Sequence, residues 1–167
     1  MGKEIERRFK LDGIPEGVDT VRFKLINQQF IVTGFEEVRV RKTVSGAIIK
    51  YNLTVKRGKG LERRETEVPI TEHTYNRLVE LSQHEPLEKV RYEVELENGK
   101  IAEIDRFFHD TSLVVVEVEF KTVEEAEHFT PPVWFGEEIT RKSQYNAVDI
   151  WKSINGQGES ENDIIQG

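Results

Sequence analysis

The sequence predicts a mainly β, α+β domain: an eight-stranded antiparallel closed barrel, or tunnel, with helices packed on its outside. Three observations lead there. Eight runs alternate with period two and are punctuated by turn residues. In seven of those runs, residues at i and i+2 are charged while their neighbours are apolar. Three further segments carry apolar residues at helical spacing. Eight strands suffice to close a small barrel, and helices can cover its outer face.

The strands are expected near 3–11, 28–33, 36–44, 47–56, 62–70, 88–96, 100–108 and 113–121. Residues 12–27 are ambiguous, because Val21, Phe23 and Leu25 alternate but no turn signal frames them. The first helix starts from Thr71 as N-cap and turns Tyr75, Leu78 and Val79 to one face. The second opens on Thr122-Val123-Glu124-Glu125, a capping-box pattern, and ends at Pro131-Pro132. The third carries Ala147, Ile150, Trp151 and Ile154. Residues 1–155 form the expected domain, and 156–167 a polar, flexible C-terminal tail.

Two hairpins test the register. With Ser45-Gly46 as a two-residue loop, Arg41 faces Lys50 and Arg39 faces Asn52, so the basic residues share a face with Thr54 and Lys56. At Asn98-Gly99 a two-residue loop would mix charged with apolar residues. A three-residue loop, Glu97-Asn98-Gly99, instead sets Asp105 opposite Arg91 and Glu103 opposite Glu93. The apolar face then holds Tyr92, Val94, Ala102 and Ile104, so the hydrophobic pattern selects the longer loop.

The charged rows are Glu4, Glu6 and Arg8 (broken by Arg7), Arg39 and Arg41, Lys56, then Arg63, Glu65 and Glu67. They continue with Lys89 and Arg91, Glu103 and Asp105, and Glu117 and Glu119. For one or two strands, a half-exposed sheet with charges in water explains such alternation. Seven strands with charges paired at i and i+2 fit better a barrel whose charged face points inward. Burying so many charges is prohibitive unless they pair or hold ions. Basic rows suit a polyphosphate, and acidic rows suit a hard divalent cation that takes oxygen ligands.

Composition narrows the function further. The chain has 167 residues, no Cys and a net charge of −7. Thiolate zinc sites, disulfides and a cysteine nucleophile are excluded. An acidic chain is a poor general binder of nucleic acid or anionic membrane. No apolar run approaches the roughly 18 residues of a spanning helix, and the start at Met1 lacks a signal-peptide core. The expectation is a cytoplasmic protein with neither nucleic-acid nor membrane partners. The four His show no ligand spacing, and no GxxxxGK[ST], HExxH or GxSxG occurs.

The rows also match a known family. Glu4-Ile5-Glu6-Arg7-Arg8-Phe9 resembles the E-x-E-x-K signature of the CYTH superfamily, the triphosphate tunnel metalloenzymes. Arg39-Val40-Arg41 resembles its R-x-R strand, Leu53-Thr54-Val55-Lys56 its T-x-K strand and Arg63-Arg64-Glu65-Thr66-Glu67 its R-x-E-x-E strand. Glu88-Lys89-Val90-Arg91-Tyr92, Glu103-Ile104-Asp105 and Val116-Glu117-Val118-Glu119-Phe120 resemble its K-x-R, E-x-D and E-x-E strands. The segment from Pro131 to Thr140 is similar to one in short bacterial members. In two places the chain departs from the pattern. The signature lysine is Arg8, which is planar and permanently charged, and a family tyrosine is Phe30.

The resemblance implies metal-dependent hydrolysis of inorganic triphosphate, or a related triphosphate, with Mg²⁺ or Mn²⁺. It assigns the metal to Glu4, Glu6, Asp105, Glu117 and Glu119, with Glu65, Glu67 and Glu103 in support. It assigns the phosphates to Arg8, Arg39, Arg41, Lys56, Arg63, Lys89 and Arg91. Glu4, Glu6, Arg8, Lys56 and Lys89 are the expected catalytic residues. The partner is a small-molecule triphosphate, and a homodimer is a possible assembly. The alternatives are a class IV-type adenylate cyclase, a thiamine triphosphatase, and a non-catalytic polyphosphate-binding module. Trp134 and Phe135 are expected to seal the barrel rather than to bind a base. Lys142 and Tyr145 stand between site and surface.

Overall fold

The computed structural model describes residues 2–18 and 22–157. Its strands are β1 (Gly2–Leu11), β2 (Phe23–Val32), β3 (Glu36–Ser45), β4 (Ile48–Arg57), β5 (Glu62–Pro69), β6 (Leu87–Glu95), β7 (Ile101–Phe107) and β8 (Val114–Phe120). The helices are α1 (Glu72–Ser82), α2 (Val123–His128) and α3 (Ala147–Ile154), with a 3-10 turn at Ser143–Tyr145. The strands close into an antiparallel barrel in the order β1-β5-β4-β3-β2-β6-β7-β8. None of the helices among the described residues is long and apolar enough to cross a membrane.

Most elements follow from local chemistry. Thr71 caps α1 by accepting from the Thr74 N–H, and Thr122 caps α2 by accepting from the Glu125 N–H. The second strand starts five residues earlier than the turn signals suggested. Pairing of Phe23 with Tyr92 and Leu25 with Val90 supplies the frame that the sequence lacked. The 97–99 loop has the predicted three residues, with Gly99 at φ +79° and Arg91 opposite Asp105. The first hairpin differs from expectation. Ser45 pairs with Ile48, so Gly46-Ala47 is the loop, and Gly46 takes φ +59° at its first position. Arg41 therefore faces Asn52 and Arg39 faces Thr54. A shift of two residues preserves the face, which is why the charged row survives the correction.

Alternate residues line two different environments. Outward, Ile5, Phe9, Leu11, Ile104, Val116, Val118 and Phe120 form a core with Ala126 and Phe129 of the α2 region. Trp134 and Phe135 pack on this outer wall, with Phe135 4.9 Å from the Phe9 ring. Arg7, the residue that interrupted the charge pattern, faces this side. It donates to both Glu138 oxygens at 2.8 Å and to the carbonyls of Ala126 and Phe129. At one end of the barrel, Phe30, Leu87, Phe107 and Val115 pack with Ile139 and with Ile150 and Trp151 of α3. Trp151 donates its indole N–H to Gln29 at 2.7 Å. Of the expected tail, Gln157 returns its N–H to the Lys152 carbonyl; residues 158–167 lie outside the described residues.

One seam of the barrel is short. β1 pairs with β5 only from Gly2↔Glu65 to Ile5↔Glu62. Beyond that, β1 hydrogen-bonds to a segment near the C-terminus: Lys10 N–H to the Glu137 carbonyl and Ile139 N–H to the Arg8 carbonyl, both 2.8 Å. This approach needs Gly136, because a Cβ there would sit 2.2 Å from the Lys10 carbonyl oxygen. Gly136→Ala must push the segment off β1, and overpacking of this kind costs about 1–3 kcal/mol. Denaturant unfolding is expected to show that loss. An unchanged midpoint would mean the segment is not held against β1.

Candidate active site in the tunnel

The inward rows enclose a cavity of about 270 Å³. It is lined by Glu4, Glu6, Arg8, Arg39, Arg41, Lys56, Arg63, Glu65, Glu67, Lys89, Arg91, Glu103, Glu117 and Glu119, which are all the predicted site residues but Asp105. Strand order sorts them by sign. In a ring of eight, β8 with Glu117 and Glu119 stands across from β3 with Arg39 and Arg41. β5 with Glu65 and Glu67 stands across from β6 with Lys89 and Arg91. β1 adds Glu4 and Glu6 to the acidic side.

Within the acidic side, one carboxylate oxygen each from Glu4, Glu6 and Glu119 lies within 4.8 Å of the other two. Burial, then Glu117 and Glu4, push Glu6 up to about 8. Burial, with Glu103, Glu4, Glu65 and Glu117 around it, also raises Glu119. Glu4 is the exception. Although burial opposes its charge, Lys56 holds it low by donating to both its oxygens at 2.7 and 2.8 Å. Lys56 also reaches Glu65 at 3.3 Å. A cluster of like charges whose members are driven toward their neutral forms is electrostatically short of a cation. Three oxygens in mutual reach are the donor set that a hard divalent ion takes.

Asp105, expected as a metal ligand, lies outside the group formed by Glu4, Glu6 and Glu119 and is engaged by two cations. It is 1% exposed and accepts from Lys89 at 2.6 Å and from Arg91 at 2.7 and 2.8 Å. Burial works against its charge, and Arg91 and Lys89 hold it low nonetheless. Glu117 stands beside the acidic group but is engaged by Arg8 at 3.1 Å and Arg91 at 3.2 Å. Burial also opposes its charge, and Arg8 and Arg91 keep it well below the usual carboxylate range. Glu103 takes a third Arg91 donor at 2.5 Å.

The cations divide in the same way. Arg91 is neutralised by three carboxylates. Lys89 has Asp105, yet burial outweighs it and pushes the ammonium down to about 8. Arg39 and Arg41 have no carboxylate partner among the described residues. Arg41 donates to the Gln28 side-chain Oε1 at 3.2 and 3.3 Å, and the buried Arg39 Nε has no acceptor. A buried guanidinium with unmet donors calls for an anion, and fork geometry suits phosphate. Arg8 points inward as its row predicts, but its donors go to Glu117, the Asn146 side chain at 3.1 Å and the Tyr145 carbonyl at 2.6 Å.

Three parts of the site were not read from the sequence. Glu37 lines the cavity at 4% exposure and takes Arg63 at 3.3 Å. Its signal was present, since it continues the Arg39/Arg41 row two residues upstream. Gln28 carried the same signal on its own strand. Asn146 comes in through the turn before α3 and had no sequence signal. Tyr145 contributes its carbonyl, whereas Lys142 is a surface residue paired with Glu137.

Protein-family models give no match to the chain. A Nitrosomonas europaea protein named inorganic triphosphatase is 34% identical over 152 residues, covering 90% of this chain and 98% of its own length. The chain belongs to the inorganic triphosphatases of the CYTH superfamily. A second relative of that name, from Acetivibrio thermocellus, is 31% identical over 156 residues, 92% of this chain and 96% of its own. The crystal structure of the inorganic triphosphatase NE1496 matches this CYTH chain with a TM-score of 0.63 and 32% identity, over 93% of this chain and 99% of that one. The putative adenylyl cyclase HpAC1 from Hippeastrum shares the fold, with a TM-score of 0.53 at 16% identity over 74% of this chain and 82% of that one.

The two carboxylates Glu6 and Glu117 are expected to respond oppositely to neutralisation in metal-free protein. Glu117→Gln leaves Arg8 and Arg91 short of a counter-charge and should cost about 3 kcal/mol of stability. Glu6→Gln removes a repulsion and should stabilise. The folded Glu6 binds its proton more tightly than the unfolded one. Wild-type stability therefore falls as pH rises from about 4.5 toward about 8, and the advantage of Glu6→Gln grows across that window. Thermal unfolding in chelator at several pH values measures both. Equal destabilisation by the two changes would contradict this division of roles.

Proposed function

We propose that the protein hydrolyses inorganic triphosphate to pyrophosphate and phosphate, with Mg²⁺ or Mn²⁺ held by Glu4, Glu6 and Glu119. The observation that carries this reading is the sorting of charge across one small cavity. Arg39 and Arg41 stand without carboxylate partners opposite a carboxylate group that is short of a cation. The relatives named inorganic triphosphatase support the same substrate.

A terminal phosphate carries roughly −1.5 to −2 charges, so transfer to water is mainly positioning and charge neutralisation. Arg39 and Arg41 clamp the chain from β3. Lys89 and Arg8 meet it from β6 and β1, each already oriented by a carboxylate. The Asp105 bond fixes the Lys89 ammonium, and its lowered affinity for its proton suits donation to a departing phosphate oxygen. Lys56 holds Glu4 in place while adding positive charge beside the acidic side. A bound divalent cation would supply Lewis-acid polarisation of the phosphoryl oxygens. Glu65, Glu67 and Glu103 support the site: Glu67 is fixed by Thr54 at 3.0 Å, Glu65 by Lys56 and Glu103 by Arg91.

Among the described residues, the cavity lining has no aromatic ring to stack a base or a thiazolium. Bare triphosphate is therefore favoured over ATP or thiamine triphosphate, and hydrolysis over cyclisation. A non-catalytic polyphosphate binder would have no need of the acidic side. With Mg²⁺ or Mn²⁺, kcat/KM for inorganic triphosphate should exceed that for ATP by at least about tenfold, roughly 1.4 kcal/mol. Glu4→Gln and Glu6→Gln should each remove most of the turnover while the fold survives. Comparable rates on ATP, cyclic AMP as product, or full activity in both variants would overturn the assignment.

A further inference from the structure

Immediately beyond the charged level of the tunnel, the inward positions change character around the ring. On β2, β6, β7 and β8 they are Phe30, Leu87, Phe107 and Val115, which α3 seals with Ile150 and Trp151. On β1 and β3 they are Arg8 and Glu37. On β4 the corresponding position is Gly58, where the chain leaves the wall at φ +103°. This is also the seam where β1 parts from β5 after Ile5↔Glu62. Floor and wall therefore fail at the same place.

The result is a second cavity of about 160 Å³ that shares Glu6, Arg8, Glu37, Arg63 and Asn146 with the tunnel lining. It reaches the surface between the 58–60 turn and the segment from Thr140 to Lys152. A Cβ added at Gly34 or Gly60 on its rim would meet nothing within 4 Å, so the rim is open. Its additional cations are Lys59 and Lys152, and Ser143 adds a hydroxyl donor. The buried Arg63 Nε has no acceptor. The cavity's carboxylates are Glu6, Glu37 and Asp149, and Arg63 engages Glu37 at 3.3 Å.

We propose that this split seam is a phosphate port: an anion site beside the metal group, sized for one tetrahedral phosphoryl group. Arg63 faces the ligand from inside, and Lys59 and Lys152 face it from the rim. The inference rests on the triphosphatase reading for the source of its ligand. That source is either orthophosphate on its way out or the fourth phosphoryl group of a longer chain, and both present the same oxyanion.

The test is calorimetric titration of inorganic phosphate into protein preloaded with Mg²⁺ and imidotriphosphate, a chain whose bridges resist hydrolysis. Wild type should bind one further phosphate per chain. Lys59→Glu and Lys152→Glu should weaken it at least about fivefold by charge, and Ser143→Trp should do so by filling the rim. Initial rates on triphosphate should stay within about twofold in all three variants. Kinetics then separate the two sources. A fivefold loss in kcat/KM for tetraphosphate marks a subsite for the fourth phosphoryl group. A fivefold weaker inhibition by phosphate, with tetraphosphate unaffected, marks an exit. No phosphate bound beside the analogue, or equal affinity in wild type and all three variants, overturns the port. If imidotriphosphate itself fails to bind, the triphosphatase reading falls instead. The same comparison of variants, with phosphate as the only ligand, then decides the port.

Discussion

The structure depends on burying both signs of charge inside one closed sheet without letting all of them cancel. Complete pairing would give a stable and inert core; complete separation would be too costly to fold. The chain does neither. Asp105, Glu103 and Glu117 neutralise Arg91 and restrain Lys89 and Arg8, so these cations are fixed before any ligand arrives. Arg39 and Arg41 on one side have no carboxylate partner among the described residues, and Glu6 and Glu119 on the other are pushed toward their neutral forms. On the proposed reading, the paired groups position and the unpaired groups bind.

That division explains the rest of the fold. Sorting carboxylates and cations onto facing strands requires the strand order seen here, because neighbours in sequence are mostly neighbours in the ring. An apolar outer face, needed to drive closure, comes from the alternate residues of the same strands. The C-terminal region finishes the barrel twice. Its 137–139 segment pairs with β1 where β5 departs, and α3 seals the end at Phe30, Leu87, Phe107 and Val115. Arg7 ties the first of these to the wall through Glu138.

The barrel and its charged face were legible in the sequence, because period two assigns every side chain of a strand to one face. For the same reason the misplaced Ser45-Gly46 loop did no harm, and the 97–99 loop could be fixed by hydrophobic matching alone. All but one of the expected site residues line the cavity. Asp105 differs because alternation reports the face of a residue and not its depth; the hairpin register placed Arg91 opposite it, and only the structure shows Lys89 closing on it as well. Asn146 and the Tyr145 carbonyl were invisible because they arrive from a turn with no periodicity. The strand at 23–27 was missed since pairing with β6, not a local signal, defines it. Phe30 is a packing residue against Trp151, with ring centroids 5.4 Å apart, which accounts for an apolar side chain at that position.

On the proposed reading, the metal and the polyphosphate bind cooperatively, because each ligand supplies the charge that the opposite side of the cavity lacks. The most direct measurement is Mn²⁺ binding followed by electron paramagnetic resonance, with and without imidotriphosphate. Tighter Mn²⁺ binding is expected when the analogue is present, with an equal tightening of the analogue by Mn²⁺. Both effects should be lost in a Glu4→Gln, Glu6→Gln double variant. Mn²⁺ binding that ignores the analogue, or that persists in the double variant, would contradict the assignment of the two sides.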